Sequence, residues 1–231
     1  VRETFLWFTS DSVFLDSPLS FLGMAQATAL STFLDEPRTE DHGLFPADVA
    51  AHALLRAAPG SQPSVLATSN LRRAAATTAV ALAERLRRTG EPVHVLSSLQ
   101  EISPNVDTLT LSVPYGPPPL REKACAGLRT DNGCNRGNKP VRGRGDMRLE
   151  EFAAWCFTHQ GKGVVAAGHS LWFRYFMDAY LPPGVAHESR KKKVKNCALL
   201  AFTLQKATDA QGCARFRIMP ETIAMVYGGY H

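Results

Sequence analysis

The sequence predicts an α/β protein, a three-layer αβα sandwich around a mostly parallel sheet, and three observations carry that expectation. Short apolar runs with β-branched residues alternate along the chain with longer amphipathic stretches, which is the pattern of βαβ units whose sheet is covered on both faces. The strand-to-helix junctions concentrate polar and charged residues where such sheets bind ligands, at the carboxyl ends of strands. The 231-residue chain, 45% hydrophobic and 20% charged, is long enough for one well-buried domain spanning residues 1–231.

Taken in order, Asp16-Ser17-Pro18-Leu19 forms a turn, and Ser20 caps a helix with Leu22, Ala25, Ala29 and Phe33 on one face, interrupted at Pro37. Val65-Leu66-Ala67-Thr68 reads as a buried strand, followed by a helix carrying Leu71, Ala75, Thr78, Leu82 and Leu86 on one face and stopped by Gly90. Val93 to Leu96 is a second strand, Leu149 to Phe157 a helix, and Val164-Val165-Ala166-Ala167 a third strand. The apolar helix from Leu171 to Tyr180 ends at Pro182-Pro183, and Leu199 to Leu204 and Phe216 to Met219 close the fold as strands.

The segment from Tyr115 to Arg148 reads as an insertion loop, opening with Pro117-Pro118-Pro119 and continuing rich in Gly, Asn and Arg. Its basic residues Arg121, Lys123, Arg129, Arg136, Lys139, Arg142, Arg144 and Arg148 stand against Glu122, Asp131 and Asp146, a local balance of +5. Such a loop is either solvated and mobile or a surface that gathers anions. The chain's net charge of +5 and pI near 9.1 suit an anionic partner without identifying it.

No apolar run approaches the roughly 20 residues of a membrane-spanning helix. Cys125, Cys134, Cys156, Cys197 and Cys213 are odd in number and lack a C-x-x-C pair, so reduced thiols are expected, with no zinc site. The first residues lack the basic-then-apolar order of a signal peptide, and a cytoplasmic location is expected; the absent initiator methionine leaves targeting from an upstream segment open.

Three junctions carry candidate chemistry. Ser69-Asn70-Leu71-Arg72-Arg73-Ala74, with Thr77, puts a guanidinium in the first turn of a helix, beside free N–H groups and shaped to grip phosphate oxygens. Arg72 is expected at the surface. Leu99-Gln100-Glu101-Ile102 places a carboxyl group after the next strand, and Gly168-His169-Ser170 places a histidine at the end of a third.

Together these blocks resemble the histidine phosphatase superfamily, whose fold is phosphoglycerate mutase-like. Ser69 to Thr77 is similar to its S-x-L-x-R-A-x-x-T pattern, Leu99 to Glu101 to its L-x-E, and Gly168-His169 to its G-H element. Asp16-Ser17-Pro18-Leu19-Ser20-Phe21-Leu22-Gly23-Met24-Ala25-Gln26-Ala27 is similar to D-x-P-L-[ST]-x-x-G-x-x-Q-A, a structural block. The resemblance implies phosphate binding by Arg73, His169 and the Ser170 N–H. It further implies proton donation by Glu101, whose pKa should be raised, and a protonated His169 that stabilises the transferring phosphoryl group. It implies a phosphomonoesterase, less readily a phosphomutase, that needs no metal or cofactor and acts on a phosphorylated small molecule or phosphoprotein.

The family's nucleophile is the histidine of an R-H-G element near the N-terminus, and no R-H-G occurs here. His42, His94, His159, His187 and His231 lack its flanking residues and its position. Either the element lies upstream of Val1, the favoured expectation, or Val1-Arg2-Glu3-Thr4 is the remnant of V-R-H-G-E-T with His-Gly deleted, which would leave an inactive binding module.

Two other classes compete. Gly168-His169-Ser170-Leu171-Trp172 approaches the G-x-S-x-G elbow of a serine hydrolase but has Trp172 for the last glycine, and Asp178 or Asp209 with His187 or His231 would have to complete a triad around Ser170. A non-catalytic binding module would use the 115–148 segment and the run Arg190-Lys191-Lys192-Lys193-Val194-Lys195 as contact surfaces. No aromatic interleaving or nucleic-acid motif accompanies that charge, which disfavours nucleic acid.

Overall fold

The structure, a computed structural model, describes residues 14–36, 46–140 and 145–231, without the side chains of residues 46 and 47. Val1 to Thr4, His42, Arg142 and Arg144 therefore lie outside the described residues. Among those described, the helices are α1 (Phe21–Asp35), α2 (Pro46–Arg56), α3 (Arg72–Ala81), α4 (Ala83–Thr89), α5 (Asp146–Cys156) and α6 (Ser170–Tyr180). The strands are β1 (Ser64–Ser69), β2 (Val93–Leu96), β3 (Thr130–Asp131), β4 (Gly163–Ala167), β5 (Leu199–Ala201), β6 (Leu204–Thr208), β7 (Ala214–Ile218) and β8 (Ala224–Tyr227).

The central sheet has the order β3-β2-β1-β4, and every pairing in it is parallel, with Leu66 beside Val93 and Val65 beside Val164. Because successive side chains of a strand point to opposite faces, β1 feeds two cores. Leu66 packs with Leu30, Leu34, Leu55, Leu82 and Val93 on the side of α1 to α4. Ala67 packs with Leu96, Leu99, Phe152, Trp172 and Phe176 on the side of α5 and α6. The three-layer α/β/α architecture expected from the sequence is thus observed.

Local chemistry accounts for most boundaries. Ser20 caps α1 by accepting the Gly23 N–H at 3.0 Å, and Gly90 ends α4 at φ 62°, a conformation that costs glycine little. Leu181, ahead of Pro182 and Pro183, closes α6.

Several expectations are corrected. The helix read as continuous from Leu71 to Leu86 breaks at Leu82, and the second piece is anchored by buried Arg85. The guanidinium of Arg85 grips Glu91 at 2.8 and 2.9 Å and donates to the carbonyls of Leu54, Leu55 and Ser64. The buried face of α1 is Ala27, Leu30 and Leu34, whereas Leu22 is 68% exposed. Helix α1 is apolar on more than one side, so its rotation is set by contact with α3 and not by its own periodicity. Leu199 to Leu204 divides between two small antiparallel sheets, β5 with β8 and β6 with β7. Helix α2 and strand β8 have no counterpart among the elements expected from the sequence.

The largest correction concerns residues 115–148. Thr130–Asp131 joins the central sheet as β3, parallel to β2. Asn135 is fully buried; its amide group donates to Ser112 Oγ at 2.6 Å and to the Gly116 carbonyl at 2.7 Å, and its Oδ1 accepts from the Asn70 amide at 3.1 Å. Buried polar groups of this kind stay in place because each finds a partner. The described part of the segment contributes β3 and buried Asn135 and Lys139 to the domain, while Arg121, Lys123, Arg129 and Arg136 stay exposed. Among the described residues no helix is long and apolar enough to cross a membrane.

Candidate active site

Strands β1, β2 and β3 follow one another in one direction across the sheet, and β4 then adds on the other side of β1. The reversal places a crevice beyond the carboxyl ends of β1 and β4, where open α/β sheets bind ligands. A cavity of about 400 Å³ lies there, and Arg73, Glu101, His169 and Ser170 all line it. Leu19, Thr77, Gly168 and Lys195 contribute to its walls.

Arg73 occupies the first turn of α3. Its Nη1 donates to the Asp107 carbonyl at 2.7 Å, and its Nη2 lies 3.7 Å from the Asp107 carboxylate, so one short helical turn aims the guanidinium. Its neighbour Arg72 is buried, against the expectation of a surface position. The Arg72 backbone N–H donates to Asp16 Oδ1 at 2.9 Å, and its Nε donates to the Asp16 carbonyl. Asp16 Oδ2 also accepts from the Leu111 N–H at 3.0 Å and the Thr110 hydroxyl at 3.3 Å. The Asp16 block therefore ties the turn before α1 to the start of α3. Gly23 belongs to the same joint, since a Cβ there would lie 2.5 Å from Leu19 Cδ1, and Leu19 lines the cavity.

Glu101 follows the short helical turn after β2 and is 9% exposed. Burial pushes its carboxyl pKa above the ordinary range, opposed by the Ile102 N–H at 2.8 Å and by the charges of Arg73 and Lys139. The direction is the one that a proton donor at neutral pH needs. The loop is braced from two sides. The Trp172 indole N–H donates to the Ser98 carbonyl at 2.8 Å, and Arg148 donates to the Gln100 carbonyl. Gly145 lets α5 approach this loop, because a Cβ there would meet Ile102 Cδ1 at 2.5 Å.

His169 is the N-cap residue of α6, and its Nε2 lies 3.0 Å from Ser69 Oγ, joining the ends of β4 and β1. It is 7% exposed. Burial, reinforced by Arg73, Lys139 and Arg148, pushes its imidazole well below the usual histidine range. Among the described residues the surroundings of His169 therefore disfavour its imidazolium form. Helix α6 begins at Ser170, which lines the cavity, so the N-terminal end of this helix lies at the crevice.

The described residues named as triad partners for Ser170 are engaged elsewhere. Asp178 pairs with Arg190, Asp209 pairs with Arg215, and His187 Nδ1 bonds Ser189. Trp172, at the position where the elbow needs glycine, is fully buried. Among the described histidines only His169 lines the cavity. His52 bonds the Phe33 carbonyl, and His94 and His159 meet Trp155 edge-on on the α5 side. The described residues contain no cluster of three or more His, Cys, Asp or Glu side chains able to hold a metal.

Sequence reasoning missed Asp107, Lys139 and Arg148 as parts of this site. The two cations were counted only as loop charge, and nothing local to them signals that they turn inward.

Among solved structures the chain is similar to a mycobacterial glucosyl-3-phosphoglycerate phosphatase in its native form, with 21% identity, 89% of this chain and 88% of that chain covered, and a TM-score of 0.47. The complex of that phosphatase with inorganic phosphate gives 20% identity, 89% and 87% coverage and a TM-score of 0.48. No family model matches the chain, and no curated protein does.

Proposed function

We propose that the chain binds phosphate monoesters in the β1–β4 crevice and belongs to an enzyme that hydrolyses them through a phosphohistidine. The observation that supports this reading is the convergence on one cavity of Arg73, Glu101 and His169, three residues that lie far apart in the chain and that the sequence motifs select independently. Arg73 and the N–H groups at the start of α6 would hold the phosphoryl oxygens. His169, whose imidazolium form burial and the nearby cations disfavour, would gain its proton as the phosphate dianion supplies the counter-charge, and would then stabilise the charge that builds up in transfer.

The covalent step needs a nucleophilic histidine from an R-H-G element upstream of Val1. Its ring nitrogen bonds to phosphorus as the ester P–O bond breaks, and Glu101 gives its proton to the departing oxygen. Water, deprotonated by the Glu101 carboxylate, then releases inorganic phosphate and regenerates the histidine. Without such an element the same crevice would bind phosphate and not turn it over.

The experiment extends the gene upstream and measures p-nitrophenyl phosphate hydrolysis by the full-length protein with EDTA present. If the reading holds, R-H-G is found, turnover survives EDTA, and Arg73→Ala and His169→Ala each lower kcat/KM by roughly 100-fold or more, in line with the loss of one charge-stabilising donor. Full-length protein that carries R-H-G but shows no turnover, or activity indifferent to both substitutions, rejects the enzymatic reading.

A further inference from the structure

Lys139 has no part in the site as the motifs define it, and it does not line the cavity. It is nevertheless 9% exposed, an unusual position for a lysine. Its Nζ donates to the carbonyls of Glu101 and Ser103 and, at 2.8 Å, to Thr108 Oγ1. An ammonium has three N–H bonds, and all three are used. Its backbone N–H donates to Gln100 Oε1 at 2.9 Å, and the Gln100 amide donates onward to the Thr108 carbonyl at 2.7 Å.

The two pieces of chain joined in this way are the ones that carry the candidate chemistry. One is the turn bearing Glu101. The other is the helical turn Val106–Thr108, whose Asp107 holds Arg73 through both its carbonyl and its carboxylate. A single buried ammonium thus lies behind both groups, and three oxygens converge on it that no apolar side chain could satisfy.

We propose that Lys139 is a positioning residue: it fixes the turn carrying Glu101 against the turn that aims Arg73. The roles of Glu101 and Arg73 in this proposal rest on the function proposed above. The titratable and charged groups facing Lys139 are Glu101, Asp107, Arg73, Arg148 and His169. Burial, and then Arg148, lowers the lysine itself to about 8, so the ammonium that joins the two turns is fully present only below that pH.

The test uses the whole chain with Lys139→Met and the milder Lys139→Gln, which keeps two donors but removes the charge. Three quantities are read: the affinity for inorganic phosphate by calorimetry at pH 7, the titration of the Glu101 side-chain carboxyl by carbon NMR, assigned with Glu101→Gln, and Tm. We expect both variants to move the Glu101 titration to higher pH and to weaken phosphate binding by roughly tenfold, as for an oriented charged contact that is loosened rather than removed. The Glu101 shift is the readout that a purely structural lysine would not give.

If Lys139→Met does not fold, Lys139→Gln decides the matter. If neither variant folds, the unsubstituted protein does so: Glu101 titrating independently of the Lys139 ammonium, followed in the same spectra through pH 8, overturns the proposal. It is likewise overturned if a folded variant binds phosphate as the unsubstituted protein does and leaves Glu101 unmoved. The outcomes separate from failure of the underlying reading, in which the unsubstituted protein itself binds no phosphate or binds it equally well as Arg73→Ala.

Discussion

Arg72 and Arg73 are chain neighbours with opposite fates, and the difference lies in what meets each guanidinium. Arg72 turns into the protein against the backbone carbonyl of Asp16, whereas Arg73 stays at the cavity wall with Asp107 behind it. The S-x-L-x-R-A pattern selects Arg73, but only the fold shows that Arg72 is the structural member of the pair. His169 illustrates the same limit. Its place at the end of β4 is legible, while its protonation state depends on burial and on three cations brought from elsewhere in the chain. That state has a consequence for stability. The folded pKa of His169 lies below its unfolded value of about 6.5, so the unfolded chain binds the extra proton first, and stability falls as pH drops below that value. His169→Asn is expected to flatten the dependence of Tm on pH between about 6.5 and 5 relative to the unsubstituted protein; an unchanged slope would mean that the ring is solvated or already charged.

At the scale of elements, the strands and helices that carry the motifs were legible because each announces itself locally: Ser20 as a cap, Gly90 as a stop, Pro182 and Pro183 after α6, and the apolar runs of β1, β2 and β4. What could not be read depends on distant partners. Arg85 anchors the piece that follows the break at Leu82 through contacts with residues from Leu54 to Glu91, and the 115–148 segment has the composition of a loop, yet its described part is held by a polar network. Asn135 is the centre of that network, joining Asn70, Ser97, Ser112 and Gly116. Asn135→Ala strands several buried donors and acceptors at once and is expected to cost about 2–3 kcal/mol, since each unsatisfied buried group costs about 1–3 kcal/mol. Urea denaturation checks it. A change under about 0.5 kcal/mol would mean that the segment is not integrated as the hydrogen bonds indicate.

For the molecule as a whole, a parallel sheet whose strand order reverses beside β1 creates one crevice, and the junctions after β1, β2 and β4 deliver Arg73, Glu101 and His169 to it. The order of the motifs along the chain made that convergence legible in advance, because strand-end residues of neighbouring parallel strands must lie at the same edge of the sheet. The supporting layer behind them, Asp107, Lys139 and Arg148, was not legible, because its members come from segments without periodicity. Of the three cations only Arg73 lines the crevice; Lys139 and Arg148 stand behind it, braced on the loop that carries Glu101, and the positive charge at this end of the sheet suits an anion. The most direct measurement is titration of inorganic phosphate into the protein at pH 7 with EDTA present, followed by calorimetry, alongside Arg73→Ala. One saturable site in the unsubstituted protein, weakened at least roughly 30-fold in Arg73→Ala with Tm nearly unchanged, is expected from the loss of a charged, forked contact. No saturable binding, or binding equal in the two proteins, would contradict a phosphate site at the ends of β1 and β4.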